Sequence, residues 1–154
     1  MIRLTNLADY GVVLMCHMTR APKDLYNAVC LSKETGIPVP TVSKIMGALS
    51  KADLLTSHRG LKGGFRMKRA AEDISVANII EAVDGPIALT NCIEHTPGDC
   101  CYESLCSMKP HWQVINTVIR KGLDGITLDE IANPALALAN LDPLVFGHSP
   151  KTGH

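Results

Sequence analysis

The sequence predicts a mainly α-helical protein that carries one small β-hairpin. Apolar residues recur at helical spacing in several stretches, which indicates amphipathic helices. One Gly-rich basic segment, at 59–64, separates two short stretches that are typical of paired strands. No run of about 18 or more apolar residues is present, so no membrane-spanning helix is expected. At 154 residues, the chain is long enough to bury the core of one domain and to carry appendages.

Three helices are expected in the first third of the chain. Asn6 can cap a helix that runs to about Arg20, and a second, short helix covers 27–35 and stops at Gly36. Pro40 suits the first turn of the third helix, where a missing N–H group costs nothing. The buried stripe of this third helix is formed by Val42, Ile45, Met46 and Leu49, and its outward face by Thr41, Ser43, Lys44 and Lys51.

A helix, a Gly-containing turn and a second helix with a polar outer face form the helix-turn-helix pattern. Residues 54–57 predict a strand, 59–64 a hairpin tip and 65–67 the return strand. A basic hairpin directly after a recognition-type helix is typical of the wing of a winged helix-turn-helix domain. The alternative is a surface hairpin whose glycines serve only the geometry of the turn.

The charge distribution favours a nucleic-acid partner, although the net charge is zero. Residues 41–70 contain seven basic residues and one acidic residue, a net charge of +6. The rest of the chain contains eight basic and fourteen acidic residues, a net charge of −6. A basic block on an acidic body is typical of a phosphate-binding face. A solvated basic surface without a ligand is the alternative.

Further helices are expected on either side of a long loop. Ser75 begins an amphipathic helix that ends near Val83, and no sustained period follows until residue 110. The next helix covers 110–121, and residues 127–132 add a turn of helix. The apolar residues of the 110–121 helix are Trp112, Ile115 and Ile119 on one stripe, with Val114 and Val118 beside it. A small winged domain cannot cover that much apolar surface, so we expect a dimer interface on this helix.

Six cysteines fall into two groups. Cys16 and Cys30 lie in apolar helical stretches and are interpreted as small buried hydrophobes. The other four, Cys92, Cys100, Cys101 and Cys106, lie within fifteen residues of the long loop, which favours a metal site or a redox switch over a structural disulfide. The C-x7-C and C-x5-C gaps are too wide for zinc knuckles and suit a loop around a larger object such as an iron–sulfur cluster. On spacing alone, a cluster, a zinc ion, a thiol switch and no site at all stay open.

The chain resembles a known family, the iron–sulfur winged-helix repressors that include IscR, NsrR and RirA. The resemblance covers residues 1–132 and lies in the segments MIRLTNLADYG, IPVPTVSKIMGALSKADLLTSHRGLKGGF and VANIIEAVDGPIALTNC, and in a C-x5-C run followed by Trp112. Within this family it is most similar to the regulators of SUF cluster-assembly operons, which share the sequence motifs PTVSK, SHRG-xx-GG and ESLC-x5-W.

This resemblance implies one iron–sulfur cluster per subunit. Its three cysteine ligands map onto Cys92, Cys100 and Cys106. Cys101 has no counterpart in the family pattern and is an alternative ligand or a spare thiol. The x7, x5 spacing resembles the RirA-like pattern and slightly favours 4Fe–4S over 2Fe–2S, although three cysteines and one other ligand suit both.

The resemblance also implies a fourth ligand that is not a cysteine. IscR-like members use a His three residues after the last Cys, but that position is Lys109 here. His111 lies two residues further on and would point in a different direction on the helix. NsrR-like members use an Asp in the first helix of the partner subunit, and Asp9 occupies that place. Asp9 is also explained as a first-turn acid that satisfies helix N–H groups. His95 is a further option within the loop.

The expected function is that of a transcriptional regulator, and the resemblance implies a repressor of cluster-assembly or iron-homeostasis genes. A homodimer would insert its recognition helices into successive major grooves of operator DNA, and Arg59 would probe the minor groove. The expected DNA contacts are Pro40, Thr41, Ser43, Lys44, Arg59, Lys62 and Arg66, with Lys68 as a further phosphate contact.

Two other functions are considered. A thiol-based redox sensor would use the same DNA-binding domain and a disulfide among the loop cysteines. An iron–sulfur electron carrier belongs to another class, but the loop cysteines do not form a ferredoxin ligand run. No nucleophile–base motif and no phosphate loop are present, so neither enzymatic activity nor a small-molecule substrate is expected.

The expected organisation has four parts. They are a DNA-binding domain at 1–83, a Cys-rich cluster-binding loop at 84–109, a dimerisation helix with its following turn at 110–132, and a flexible tail at 133–154. The N-terminal segment lacks the features of a signal peptide, so a cytoplasmic location is expected.

Overall fold

The fold is mainly helical with a two-stranded antiparallel hairpin, as the sequence predicts. The computed structural model describes residues 3–90, 93, 106–133 and 135. In chain order the elements are α1 (Asn6–Met18), α2 (Ala28–Thr35), α3 (Val39–Lys51), β1 (Leu55–His58), β2 (Gly64–Met67), a 3₁₀ turn (Ala71–Asp73), α4 (Val76–Asp84), α5 (Lys109–Asp124) and α6 (Leu128–Ala132). The long C-terminal helix is therefore present. The tail for which disorder was expected lies almost wholly outside the described residues.

Helix α1 is capped by Thr5, so the prediction that Asn6 caps it is wrong by one residue. The Thr5 hydroxyl accepts a hydrogen bond from the Ala8 N–H group at 3.1 Å, which satisfies one of the unpaired donors of the first turn. The same hydroxyl donates to the carboxylate of Asp84, whose oxygens lie 2.8 and 2.7 Å away. Because this partner is 79 residues further along the chain, nothing local distinguishes Thr5 from Asn6 as the cap.

The helix-turn-helix core matches the predicted pattern. Helix α2 ends at Gly36, whose φ of +77° suits glycine, and Asn27 caps its start through the Cys30 N–H group. The stripe of α3 predicted to be buried is fully buried: Val42, Ile45, Met46 and Leu49. Helices α1 and α4 pack against α3 around this stripe. The core therefore fixes which face of α3 is turned to solvent.

A third backbone segment joins the wing. Strands β1 and β2 pair from Leu55 opposite Met67 to His58 opposite Gly64. Tyr26, just before α2, forms two backbone hydrogen bonds of 2.8 Å with Phe65. A Cβ atom on Gly64 would lie 2.6 Å from the Tyr26 carbonyl oxygen, so only glycine permits this approach. This backbone contact connects the wing to the start of the helix-turn-helix, in addition to the covalent connection through β1.

Helix α5 docks onto α4 through polar side chains. Arg120 forms a bidentate pair with Glu81 at 2.7 and 2.9 Å, and the Ser75 hydroxyl donates to Asp124 at 2.7 Å. Ser75 also caps α4, as predicted, in a capping box. One turn before Arg120, Asn116 is 8% exposed and bonds the segment that follows α4. Residues at i, i+4 and i+8 share one helix face, so these polar groups lie along the side of α5 next to α4, where Asn116 is buried and Asp124 stays exposed.

The apolar residues of α5 are only partly covered by the rest of the described chain, as the sequence predicts. Trp112 and Ile119 are half-buried, whereas Ile115 is exposed together with Val114 and Val118. Leu123 of α5 packs against Val76 and Ile80 of α4 beside the polar contacts. Among the described residues, no helix is both long enough and apolar enough to cross a membrane.

Candidate nucleic-acid interface and candidate metal centre

The solvent face of α3 presents small polar and basic groups. Pro40, Ser43 and Lys44 are exposed, whereas Thr41 is half-buried, although it was predicted to face outward. One to two turns further along the helix, Lys51 is exposed on the same side as Lys44, and both line a shallow depression with Ser43. This face carries positive charge and side chains short enough for close approach by a flat or convex partner.

The tip of the wing extends fully into solvent. Arg59 and Lys62 are exposed, and Gly60 has a φ of +118°, which allows the tight turn between them. Leu61 at the apex is completely exposed, and sequence reasoning missed it because a leucine in a turn has no periodic pattern. A large apolar side chain between two cations is typical of a wedge offered to a nucleic-acid groove.

Arg66 lies on β2 opposite Thr56 and is half-buried. Its Nε atom is buried and has no hydrogen-bond partner among the residues that the structure describes. A buried, unpaired donor is unfavourable, but because this atom is buried an external ligand reaches it only if the side chain moves. Of the predicted DNA contacts, Arg66 is the one with a buried unpaired side-chain atom.

Not every cation of the basic block is available to a partner. Lys68 forms a salt bridge with Asp53, which stands in the left-handed region at the end of α3. Arg69 donates to the main-chain oxygen of Asp73. In the described part of the chain, no ion pair engages the exposed cations Lys44, Lys51, Arg59 and Lys62. The net positive face is thus concentrated on α3 and the wing tip, and Lys68 fits a phosphate contact poorly.

Of the predicted metal ligands, only Cys106 and Asp9 lie among the residues that the structure describes. Cys92, Cys100, Cys101 and the alternative His95 lie outside the described residues. Cys106 is half-buried with a free thiol, and its carbonyl oxygen accepts from the Lys109 N–H group at 3.4 Å as α5 begins. No group of three or more His, Cys, Asp or Glu side chains suited to a metal ion occurs within the described ranges.

Asp9 is an exposed side chain in the first turn of α1. Because Thr5 is the N-cap, Ala8 occupies the third helical position, so Asp9 is one residue too late for a capping box. Its carboxylate makes no side-chain hydrogen bond or salt bridge with another described residue. The capping explanation of Asp9 therefore loses support, and its oxygens stay accessible.

The donor chemistry of these residues fits an iron–sulfur cluster. Cysteine thiolates are the usual ligands of such clusters, and Cys106 offers a free thiol three residues before α5 begins. A carboxylate such as Asp9 is an acceptable iron ligand that is easily released.

Cys30 is half-buried, as Cys16 is, so neither is the fully buried hydrophobe that the sequence predicts. The thiol of Cys30 donates to Glu34 at 3.4 Å, and the other oxygen of Glu34 lies 2.5 Å from His17 Nε2. This hydrogen bond, together with partial burial and the charge of Glu34, raises the pKa of the Cys30 thiol. Cys16 is half-buried, and burial raises the pKa of its thiol as well. Neither cysteine is activated for redox chemistry.

Comparison with known proteins identifies the family. A family model described as Rrf2, iron-dependent transcriptional regulator, matches residues 4–134. The chain belongs to the Rrf2 family. It is similar to the HTH-type transcriptional regulator IscR of Vibrio atlanticus, with 31% identity over 134 residues, 84% of this chain and 75% of that protein. IscR of Photobacterium profundum is 32% identical over the same shares. The resemblance drawn from the sequence is thus confirmed, and the protein is a transcriptional regulator and not an enzyme.

Solved structures of this Rrf2 fold agree with the architecture. IscR of T. potens has a TM-score of 0.64 at 21% identity, over 94% of this chain and 96% of that one. CymR of Staphylococcus aureus has a TM-score of 0.61 at 25% identity, over 84% and 97%. CymR of B. subtilis, described as the global cysteine regulator, has a TM-score of 0.64 at 19% identity, over 87% and 98%. The winged-helix fold with a long C-terminal helix is therefore confirmed.

Glu34→Gln should make Cys30 more reactive. Removing the carboxylate lowers the pKa of Cys30 toward its ordinary value, so the thiolate fraction at about pH 8 rises, and thiolate is the form that alkylates. Iodoacetamide labelling followed by peptide mass spectrometry measures the rate at each cysteine. Cys16 is the internal control because burial alone raises its pKa. An unchanged rate at Cys30 would show that Glu34 does not hold the thiol protonated.

Proposed function

We propose that this Rrf2 protein is an iron–sulfur-cluster-sensing transcriptional regulator that acts as a repressor and binds operator DNA as a homodimer in the cytoplasm. Its proposed targets are SUF cluster-assembly or iron-homeostasis genes. The observation that carries the proposal is the exposed positive face of α3 and the wing tip in a chain that belongs to this regulator family.

The DNA contacts are proposed on α3 and the wing. Pro40 sets the start of α3, and Thr41, Ser43 and Lys44 contact the major groove. On the wing, Arg59 enters the minor groove, while Lys62 and Arg66 contact phosphates. Arg66 lies half-buried on β2, in the same hairpin as Arg59. Lys68 is left out of this set because Asp53 neutralises it.

The homodimer is proposed to form through the outer face of α5. Val114 and Val118 are each 64% exposed and lie one turn apart. Together with Ile115 and the exposed Met108 they give an apolar strip on a helix whose opposite, polar face is already engaged with α4. Burying an apolar strip against a second copy removes it from water and orients two recognition helices for a palindromic operator.

The proposed cluster ligands are Cys92, Cys100 and Cys106, with Cys101 as the alternative thiol and the partner subunit's Asp9 as the fourth ligand. The relatives named IscR and the iron-dependent description of the family support a cluster. When bound, the cluster supplies an iron- and oxidant-sensitive link between the Cys-rich loop and the rest of the dimer. We propose one cluster per subunit and favour the 4Fe–4S type.

A thiol switch without a cluster is the second candidate. It is favoured by the structural similarity to CymR, which includes a structure of the S. aureus protein described as an oxidized form, with a TM-score of 0.61 at 23% identity. In that case the loop cysteines would form a disulfide that changes DNA affinity. Iron and sulfide content separates the two candidates.

Arg59→Ala should weaken DNA binding roughly tenfold, since a positioned arginine in a groove contributes on the order of 1–3 kcal/mol. Lys23→Ala is the matched control because it removes an equal charge from an exposed side chain between α1 and α2, outside the proposed contacts. The measurement is the Kd for a duplex selected by the protein from a randomised pool, at several salt concentrations. Equal losses in the two variants, or a Kd that does not change with salt, would contradict the proposed interface.

Replacing both Val114 and Val118 by Glu should give a monomer, because two carboxylates would be buried at the interface without partners. Light scattering after size-exclusion chromatography measures the mass of the particle. Val29→Glu is the control, since Val29 is an exposed valine on α2, away from α5. A dimer that survives the double substitution would exclude the outer face of α5 as the interface.

The triple variant Cys92→Ala, Cys100→Ala, Cys106→Ala should lose iron and acid-labile sulfide when purified without oxygen, whereas Cys30→Ala should retain both. Asp9→Ala should leave the three thiol ligands in place and increase the sensitivity of the cluster to chelators. Iron and sulfide counts with the visible absorption spectrum are the readouts. A colourless wild-type protein with a reversible loop disulfide would favour the thiol switch, and iron and sulfide retained in the triple variant would refute the ligand set.

A further inference from the structure

The side chain of Asn116 on α5 binds the main chain of the segment that leads from α4 toward the Cys-rich loop. The Asn116 carboxamide oxygen accepts from the Leu89 N–H group at 3.0 Å, and its amide nitrogen donates to the Ile87 carbonyl oxygen at 2.8 Å. Asn116 is 8% exposed. Both polar ends of this buried side chain are thus used on the main chain of a segment without helical or sheet partners.

The two hydrogen bonds of Asn116, here called the Asn116 clamp, connect the two ends of the Cys-rich loop. Cys92 is three residues beyond Leu89, so chain length alone keeps their Cα atoms within about 11 Å. Asn116 lies seven residues after Lys109 on α5, about 10 Å along the helix axis, and Cys106 shortly precedes that helix. Asn116 therefore ties the incoming end of the loop to the helix on which the outgoing end begins.

Other contacts hold α5 itself, so the clamp is not needed for docking. The Arg120–Glu81 pair and the Ser75–Asp124 hydrogen bond join α5 to α4 further toward the C-terminal end of α5 than Asn116. The Ile87 side chain packs against a small apolar cluster that includes Ile80 and Leu123. The hydrogen bonds of Asn116 instead fix the backbone at Ile87 and Leu89, immediately before the first loop cysteine.

We propose that Asn116 is a positioning residue for the cluster site, which holds the base of the Cys-rich loop and so determines how slowly the cluster is lost. This inference rests on the proposed cluster. Groups that orient metal ligands through hydrogen bonds affect retention without touching the metal. Without the clamp, the backbone that leads to the first cysteine loses its anchor, and the cluster becomes more accessible to chelators.

The test compares cluster loss in the anaerobically purified full-length protein and its variants. Asn116→Ala should release iron to a chelator roughly tenfold faster than the wild type, the lower end of the effect of residues that orient metal ligands. Asn116→Asp has the same size but places a carboxylate oxygen against the Ile87 carbonyl, so it should also accelerate loss. Arg120→Ala is the matched control: it removes the ion pair between α5 and α4 and should leave the release rate within about twofold.

A second readout does not depend on the cluster. In the metal-free protein, hydrogen exchange at the Leu89 amide should become faster in Asn116→Ala and stay unchanged in Arg120→Ala, because only the first variant removes the acceptor of that amide. Release at the wild-type rate from Asn116→Ala, or equal acceleration in Arg120→Ala, would overturn the inference while leaving the proposed function intact. Wild-type protein without iron and sulfide would overturn both.

Discussion

The docking of α5 on α4 through a polar stripe determines most of what the rest of the structure can do. Asn116, Arg120 and Asp124 occupy one face of α5 and each has a partner on α4 or its neighbouring segment. These polar contacts, together with the packing of Leu123 against Val76 and Ile80, determine which side of α5 faces α4. This orientation exposes Val114 and Val118 and brings the start of the Cys-rich loop against α5.

Some cations of the basic block at 41–70 are paired within the chain, whereas others are exposed without an ion pair among the described residues. Asp53 neutralises Lys68 and the Asp73 carbonyl engages Arg69, so the positive potential is concentrated on the outer face of α3 and the tip of the wing. The contact of Tyr26 with Phe65 joins the wing to the start of the helix-turn-helix. As a result, α3 and the basic hairpin belong to one connected unit.

Three contacts connect this DNA-facing unit with the region of the loop cysteines. Thr5 caps α1 and also binds Asp84 at the end of α4, and α4 in turn packs against α3. Asn116 then holds the segment that follows α4. A change in the loop would therefore act first on the end of α4 and on the start of α1, where the exposed Asp9 lies. This arrangement gives the proposed sensing site a physical route to the recognition helix.

The sequence by itself determined the helix-turn-helix, its buried stripe on α3, the basic hairpin and the family. Each of these follows from helical periodicity, glycine turns or short sequence motifs, which are local properties of the chain. Only the tertiary structure decided the Thr5 cap, the pairing of Lys68, the partial exposure of Cys30 and the polar side of α5 next to α4. Each of these depends on a partner brought close by the fold, such as Asp84 or Glu81, and periodicity does not encode the identity of such partners. Asn116 is the clearest case, since a polar residue within a helix acquires its role only when the chain returns to place Ile87 and Leu89 against it.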